Sequence, residues 1–184
     1  MNNRNKLSNI NCKDIIIDYK EEEVKTKERE HYHNAYEIAF FIRANINIFA
    51  KNIKYKISDG DLLFIDSYDL HKIIYKNNDE YIRFVLNISE EFLNYTLEEM
   101  KIGKIFEKIK KTDYKKITTS LKEREHLKYI FQYLHKIKNN KTYDYKNIRQ
   151  AIIKSQLVTI ITRIYDLMQS KPANISIVFF KKNS

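Results

Sequence analysis

The chain has 184 residues and a formal net charge of +10, from 34 Lys and Arg against 24 Asp and Glu, and 43% of its residues are hydrophobic. That length and apolar content support one domain, or one domain with a helical appendage, and exclude a disordered chain. The lone cysteine, Cys12, excludes an internal disulfide. The polar N-terminal residues and the lack of any apolar run near the roughly 20 residues that span a bilayer exclude a secretory signal and a membrane helix, so the cytoplasm is the expected compartment.

With only 2 Gly and 1 Pro, little material exists for long irregular loops. In chain order, residues 14–19 read as a strand. Residues 36–42 and 46–50 follow as two more, split by Arg43, Ala44 and Asn45. Residues 53–57 alternate, with Ile53, Tyr55 and Ile57 on one face and Lys54 and Lys56 on the other, the pattern of a half-buried strand. Ser58, Asp59, Gly60 and Asp61 form a strong turn signal. Strands over 62–65, 70–75 and 81–88 complete the set. Many short strands divided by tight breaks predict a sandwich or closed barrel.

From Ser89 the period changes to that of helices. Ser89 is a candidate N-cap, with Glu90 and Glu91 at the positive end of the helix dipole. Ser120 precedes a second helical stretch whose apolar stripe is Leu127, Ile130, Phe131, Leu134 and Ile137. A third, over 145–168, has a wide apolar arc suited to packing on the barrel and on a partner. Pro172 ends it, leaving a short irregular tail over 172–184. The organisation expected is a β-barrel over 1–88 and a helical dimerisation region over 89–171.

The chemistry concentrates in His31, His33 and Glu37, with Gly60, Asp61 and His71. Two histidines one residue apart on a strand project from the same face. Glu37 follows just past a possible tight turn at Asn34 and Ala35, and His71 closes a second strand that starts after the Gly60-Asp61 turn. Three imidazoles and a carboxylate converging in a small barrel make either a metal site or a polar floor for a pocket. As ligand types they suit Zn, Ni, Fe, Cu or Mn. His126 and His135, nine residues apart in a lysine-rich helix, fall on different faces and read as solvated. Cys12 lacks a nearby His, and no Gly-x-Ser-x-Gly, phosphate-binding loop or dinucleotide fingerprint is present.

These residues resemble the cupin superfamily, and more closely the N-terminal sensor domain of AraC-type transcriptional regulators. The first cupin motif reads His31, His33, Glu37, with Ala44 where a glycine falls in the family. The second runs from Gly60 to His71, with Asp66 where proline is common. The phrasing His31-x-His33-x-x-x-Glu37-Ile38, Gly60-Asp61-Leu62-Leu63-Phe64-Ile65 and Tyr81-Ile82-Arg83-Phe84 is AraC-like. The resemblance implies an α+β fold: a cupin-like antiparallel β-barrel, a double-stranded β-helix or jelly roll, followed by C-terminal helices. It also implies a small effector held in the barrel, with Tyr36, Ile38, Phe40, Phe64, His71, Ile73 and Phe84 as lining residues, though ordinary core packing accounts for the aromatics as well.

The metal ligands it implies are His31, His33, Glu37 and His71, for a divalent transition ion if one is bound. AraC-type regulators carry helix-turn-helix units after their dimerising helices. Too few residues follow Met168 to build one. The expectation is therefore a non-enzymatic sensing and dimerisation domain without its own DNA-binding part, naturally short or cut short. It would form a homodimer or a heterodimer with a full-length relative. The rivals are a metal-dependent cupin enzyme and a direct nucleic-acid binder. The positive charge speaks weakly for the latter, because the lysines are scattered among glutamates and the whole composition is biased toward Lys, Asn, Ile and Tyr.

Overall fold

The computed structural model describes residues 9–10, 14–23, 30–74, 80–113, 115–139 and 146–170. Cys12, Pro172 and the tail lie outside them. The order of elements is β1 (Asn9–Ile10), β2 (Ile15–Glu23), β3 (Tyr32–His33), β4 (Ala35–Arg43), β5 (Asn45–Ala50), β6 (Ile53–Ser58), β7 (Asp61–Ile65), β8 (His71–Ile74) and β9 (Glu80–Ser89). Then come α1 (Glu90–Glu99), α2 (Gly103–Lys110), β10 (Lys116–Thr118), α3 (Leu121–Asn139) and α4 (Lys146–Ser170).

A five-stranded sheet has the order β10-β7-β4-β9-β2, and a three-stranded sheet has the order β6-β5-β8. All strand pairs within both sheets are antiparallel. The strand period of two decides what lies between them. One face of the larger sheet presents Ala39, Phe41, Leu63, Ile65 and Tyr81 to Ile46, Ile48, Tyr55, Ile57 and Ile73 of the smaller sheet, forming the inner core of a cup. The opposite face presents Tyr36, Ile38, Phe40, Leu62, Phe64, Phe84, Leu86 and Ile88 to the helices, forming a second core. The layers are thus helices, large sheet, small sheet.

Each expected strand is present. β2 runs beyond its expected end because β9 pairs with it in unbroken register from Ile15 opposite Ile88 to Glu23 opposite Glu80. Two strands were not expected. β1 and β10 have two and three residues, too short to show a period, and β10 lies inside the stretch read as helical. β10 joins the edge of β7, with Ile117 opposite Leu62.

The turn at Gly60 is held from three sides. Gly60 has a φ of 81°, a region that disfavours a side chain. Its N–H donates to the Phe41 carbonyl at 2.7 Å, and the Thr119 hydroxyl donates to the Gly60 carbonyl at 2.6 Å. The Arg124 guanidinium occupies the space a Cβ would need and donates to the Asp59 carbonyl at 2.6 Å. Ala44, in the place of the family's glycine, donates its N–H to Asp59 Oδ1 at 2.8 Å.

The helix starts follow the sequence. Ser89 Oγ accepts the Phe92 N–H at 3.2 Å and caps α1. Ser120 and Glu123 exchange hydrogen bonds at the start of α3, a capping box. The expected α3 stripe is buried along its length. In α4, Ile153, Leu157, Ile160, Ile161 and Ile164 are fully buried, while Ile148 is half exposed. No described helix is long and apolar enough to cross a membrane.

Phe131 joins the layers, with its ring centroid 5.3 Å from Phe40 and 5.9 Å from Phe84. It is fully buried. Truncation to Ala removes that packing and leaves a cavity, so Phe131→Ala should lose about 3–5 kcal/mol in chemical denaturation. A loss below about 1 kcal/mol would show that the helical layer is not packed as described.

Candidate functional site

β3, β4 and β8 converge at one end of the cup. His31 and His71 are held by a two-way backbone bridge, each N–H donating to the other's carbonyl at 2.9 Å. A bend at Asn34 separates β3 from β4. The turn expected at Asn34 and Ala35 is this bend alone, and the strand resumes at Ala35. His33 and Glu37 thereby face each other across it, with His33 Nε2 3.0 Å from Glu37 Oε2. His71 Nε2 lies 3.8 Å from the same oxygen. The three imidazole rings are mutual neighbours, with centroids 4.4 to 5.0 Å apart. His33, Glu37 and His71 are buried.

The hydrogen bonds fix the tautomers. A carbonyl only accepts, so His71 Nδ1 carries the proton it donates to the Asp69 carbonyl at 2.8 Å. His71 Nε2 is then a lone-pair nitrogen, buried and without a hydrogen-bond partner. Glu37 accepts from His33 Nε2, which leaves buried His33 Nδ1 without a partner as well. Burial opposes ionisation of Glu37, but the His33 hydrogen bond and the nearby His71 and Arg83 outweigh it. Together they lower its pKa from the ordinary 4.5 to about 2. Burial pushes the His71 pKa below its usual 6.5, with Glu37 opposing and His31 and His33 adding to the fall.

These features fit a metal ion. One nitrogen from each of His31, His33 and His71 can be chosen so that all lie within 4.8 Å of one another. Two buried imidazole nitrogens lack donors, and the second nitrogen of His71 is anchored on a backbone carbonyl, the usual support of a ligating imidazole. The space beside them is small. A cavity of about 10 Å³ is bordered by His31, Glu37, Ile65, His71 and Arg83. That is room for about one water or ion.

Arg83, within the Tyr81-Ile82-Arg83-Phe84 stretch, joins the site although a lone arginine in a strand gives no sequence sign of it. Strand parity places it there. On β9, Tyr81, Arg83 and Val85 share the face that looks into the cup. The Arg83 guanidinium carbon lies 5.2 Å from the Tyr81 ring centre and 5.9 Å from that of Phe41.

The same parity corrects the expected effector lining. Tyr36, Ile38, Phe40 and Phe84 lie in the core under the helices, on the far side of the sheet from the imidazoles. One residue of offset on a strand exchanges faces, so they cannot share a lumen with Glu37 and Phe41. Phe64 belongs to that outer core too, but also borders a larger cavity at the mouth of the cup, of about 380 Å³. His71 and Ile73 do face inward. His126 is exposed as expected, while His135 is half-buried with its ring 6.0 Å from Phe84.

Neither a protein-family profile nor a curated protein matches the chain. Solved structures do. A cupin-family protein with a double-stranded β-helix fold from Methanocaldococcus jannaschii aligns over 46% of this chain and 80% of its own, at 17% identity and a TM-score of 0.39. A cupin protein from Bacteroides fragilis aligns over 43% and 69%, at 14% identity and a TM-score of 0.38. ToxT from Vibrio cholerae aligns over 84% of this chain, helices included, at 10% identity and a TM-score of 0.50. The chain spans 57% of the length of ToxT. The fold is α+β: a cupin-like double-stranded β-helix with C-terminal helices packed on its larger sheet.

The lowered His71 pKa sets a sign for acid sensitivity. The unfolded chain binds the His71 proton more tightly than the folded one, so this contribution to stability is present above 6.5 and is lost as pH falls below it. Thermal melts should fall between about pH 7 and about pH 5, and His71→Gln should flatten that slope. An unchanged slope in the variant would show that His71 does not carry it.

Proposed function

We propose that this chain is the sensing and dimerisation part of an AraC-type regulator. Its reading rests on the two faces of β4. Glu37 lies among the imidazoles, while Tyr36 and Phe40 on the same strand meet the helices. The Tyr36 ring is 5.1 Å from Phe106 of α2, and the Phe40 ring is 5.3 Å from Phe131 of α3. An event that shifts β4 at the mouth therefore acts on helices directly, without an intervening loop. That is the coupling a ligand needs to bias two arrangements of a dimer. ToxT, an AraC-family regulator, shares this arrangement of cup and helices, which supports the reading at the level of fold.

The partner expected at the helical layer is a second copy of the chain, or a full-length relative with the same layer. The wide arc of α4 supports this, since Ile148 stays exposed while the opposite side of the helix is buried.

His31, His33 and His71, with Glu37, would hold a divalent transition ion such as Zn, Ni, Fe or Mn. Such an ion supplies a Lewis-acidic centre, or simply ties β3, β4 and β8 together. The rival reading, a metal-dependent cupin enzyme, draws on the same imidazoles.

Two measurements test this reading. Sedimentation of the chain should show a dimer, and a strictly monomeric species at every concentration would remove the dimerisation role. Zinc titration followed by elemental analysis should give about one ion per chain, lost in His31→Ala with His33→Ala while the fold persists by circular dichroism. Retention of metal in that double variant would move the site elsewhere.

A further inference from the structure

The cup interior is filled, but its mouth is not. The β5–β6 turn, the loop after β7 and, near the end of α2, Lys110, Thr112, Asp113 and Lys115 border the cavity of about 380 Å³. This volume lies in the range of small-molecule sites. Its apolar part is formed by Ala50, Ile53, Phe64 and Ile65, and Ile65 is a wall shared with the small cavity at the imidazoles. Its charged part contains Asp66, Asp69 and Asp113 with Lys51, Lys110 and Lys115.

Most of the cations there are already committed. Lys115 is buried and donates to the carbonyls of Ile109 and Lys110 at 2.9 and 2.6 Å, closing the C-terminal end of α2. It also lies 3.4 Å from Asp66 Oδ2. Lys110 is 2.6 Å from Glu107 and is neutralised by it. Lys51 is different. Its ammonium sits between two carboxylates, 3.1 Å from Asp69 and 3.5 Å from Asp66. Its side chain is 58% exposed, against 16% for Asp69 and 19% for Asp66. Asp113 is exposed to solvent, so the two shielded carboxylates of the mouth are Asp66 and Asp69, and the one exposed ammonium between them is that of Lys51. Asp66 Oδ1 is buried and accepts no hydrogen bond. Lys51 and Lys115 both approach the other oxygen, Oδ2.

We propose that the mouth cavity binds a small primary amine with an apolar body, its ammonium replacing that of Lys51 between Asp66 and Asp69 and its apolar part lying on Ile53, Phe64 and Ile65. Lys51 is the internal stand-in for this ligand. It presents the same chemical group at the same two carboxylates, from an exposed turn residue that can swing into water. The alternative, an apolar acid held by the lysines, finds Lys110 and Lys115 already spent. The assignment deepens the sensing reading by naming the chemistry of the effector, but the binding itself does not depend on dimerisation.

Calorimetric titration of the full chain with phenethylamine, and separately with phenylacetate, tests it. Phenethylamine should bind saturably and phenylacetate should not. Lys51→Ala removes the internal competitor and should tighten amine binding about five- to tenfold. Asp69→Asn should weaken it by at least about tenfold, and serves where Asp66→Asn disturbs Lys115 and the fold. Binding of phenylacetate that is lost in Lys51→Ala would overturn the proposal, and so would amine binding weakened by that same variant. Failure of phenethylamine to bind folded wild-type and Lys51→Ala protein would overturn it too, leaving a dimer unaffected. Amine binding without any change in association state would uphold the site and count against the sensing reading alone.

Discussion

The two-faced burial of β4 is the constraint on which the molecule depends. It is a central strand, paired with β7 on one side and β9 on the other. Every residue from Ala35 to Phe41 is buried. Such a strand has no solvent face, and its alternation divides two different cores rather than core from water. Odd positions build the cup and bring Glu37 to the imidazoles. Even positions build the bed on which α2 and α3 rest. The register cannot slip by one residue without placing a carboxylate under the helices and phenyl rings among the histidines. Site and helical layer are thereby fixed by the same set of hydrogen bonds.

Buried charge is handled by neighbours rather than by solvent. Glu37 would be strongly disfavoured as an anion at its depth, since an unpaired buried carboxylate is expensive. His33 donates to it, and this hydrogen bond, with His71 and then Arg83 nearby, lowers its pKa to about 2. Lys115 is treated in the same way at the other edge of the sheet, where two carbonyls and Asp66 surround its ammonium. Burial lowers its pKa all the same, with Asp66 opposing. Both groups tie loops to the sheet at the end of the cup where the cavities lie.

What could be read from the chain follows from how local each signal is. The strands over 53–57 and 62–65 and the Gly60 turn announce themselves within a few residues, because alternation and a positive φ are local properties. The Ser89 and Ser120 caps are equally local. The convergence of His31, His33, Glu37 and His71 was reachable through the resemblance. Its burial and tautomers were not, since they depend on the Asp69 carbonyl and on β3 meeting β8. The lining of the cup was misplaced because aromatic residues mark burial without saying in which of two cores. Counting parity from Glu37 assigns Phe41 to the cup and Phe40 to the helices, and the pairing of β4 with β9 then places Arg83 with Phe41 and Phe84 with Phe40. β10 was invisible, since three residues carry no period and only pairing with β7 makes them a strand.

Net charge is a poor guide to what the mouth cavity prefers, and the magnitudes show why. The excess of +10 is spread over a surface where salt screens exposed charges beyond about 8 Å. Two carboxylates held within 3.5 Å of one ammonium act well inside that distance, from positions where water is largely excluded. The local arrangement outweighs the distant excess. A basic protein can therefore carry a cation-seeking pocket, and here the abundance of lysine is what supplies one of its own side chains to occupy it.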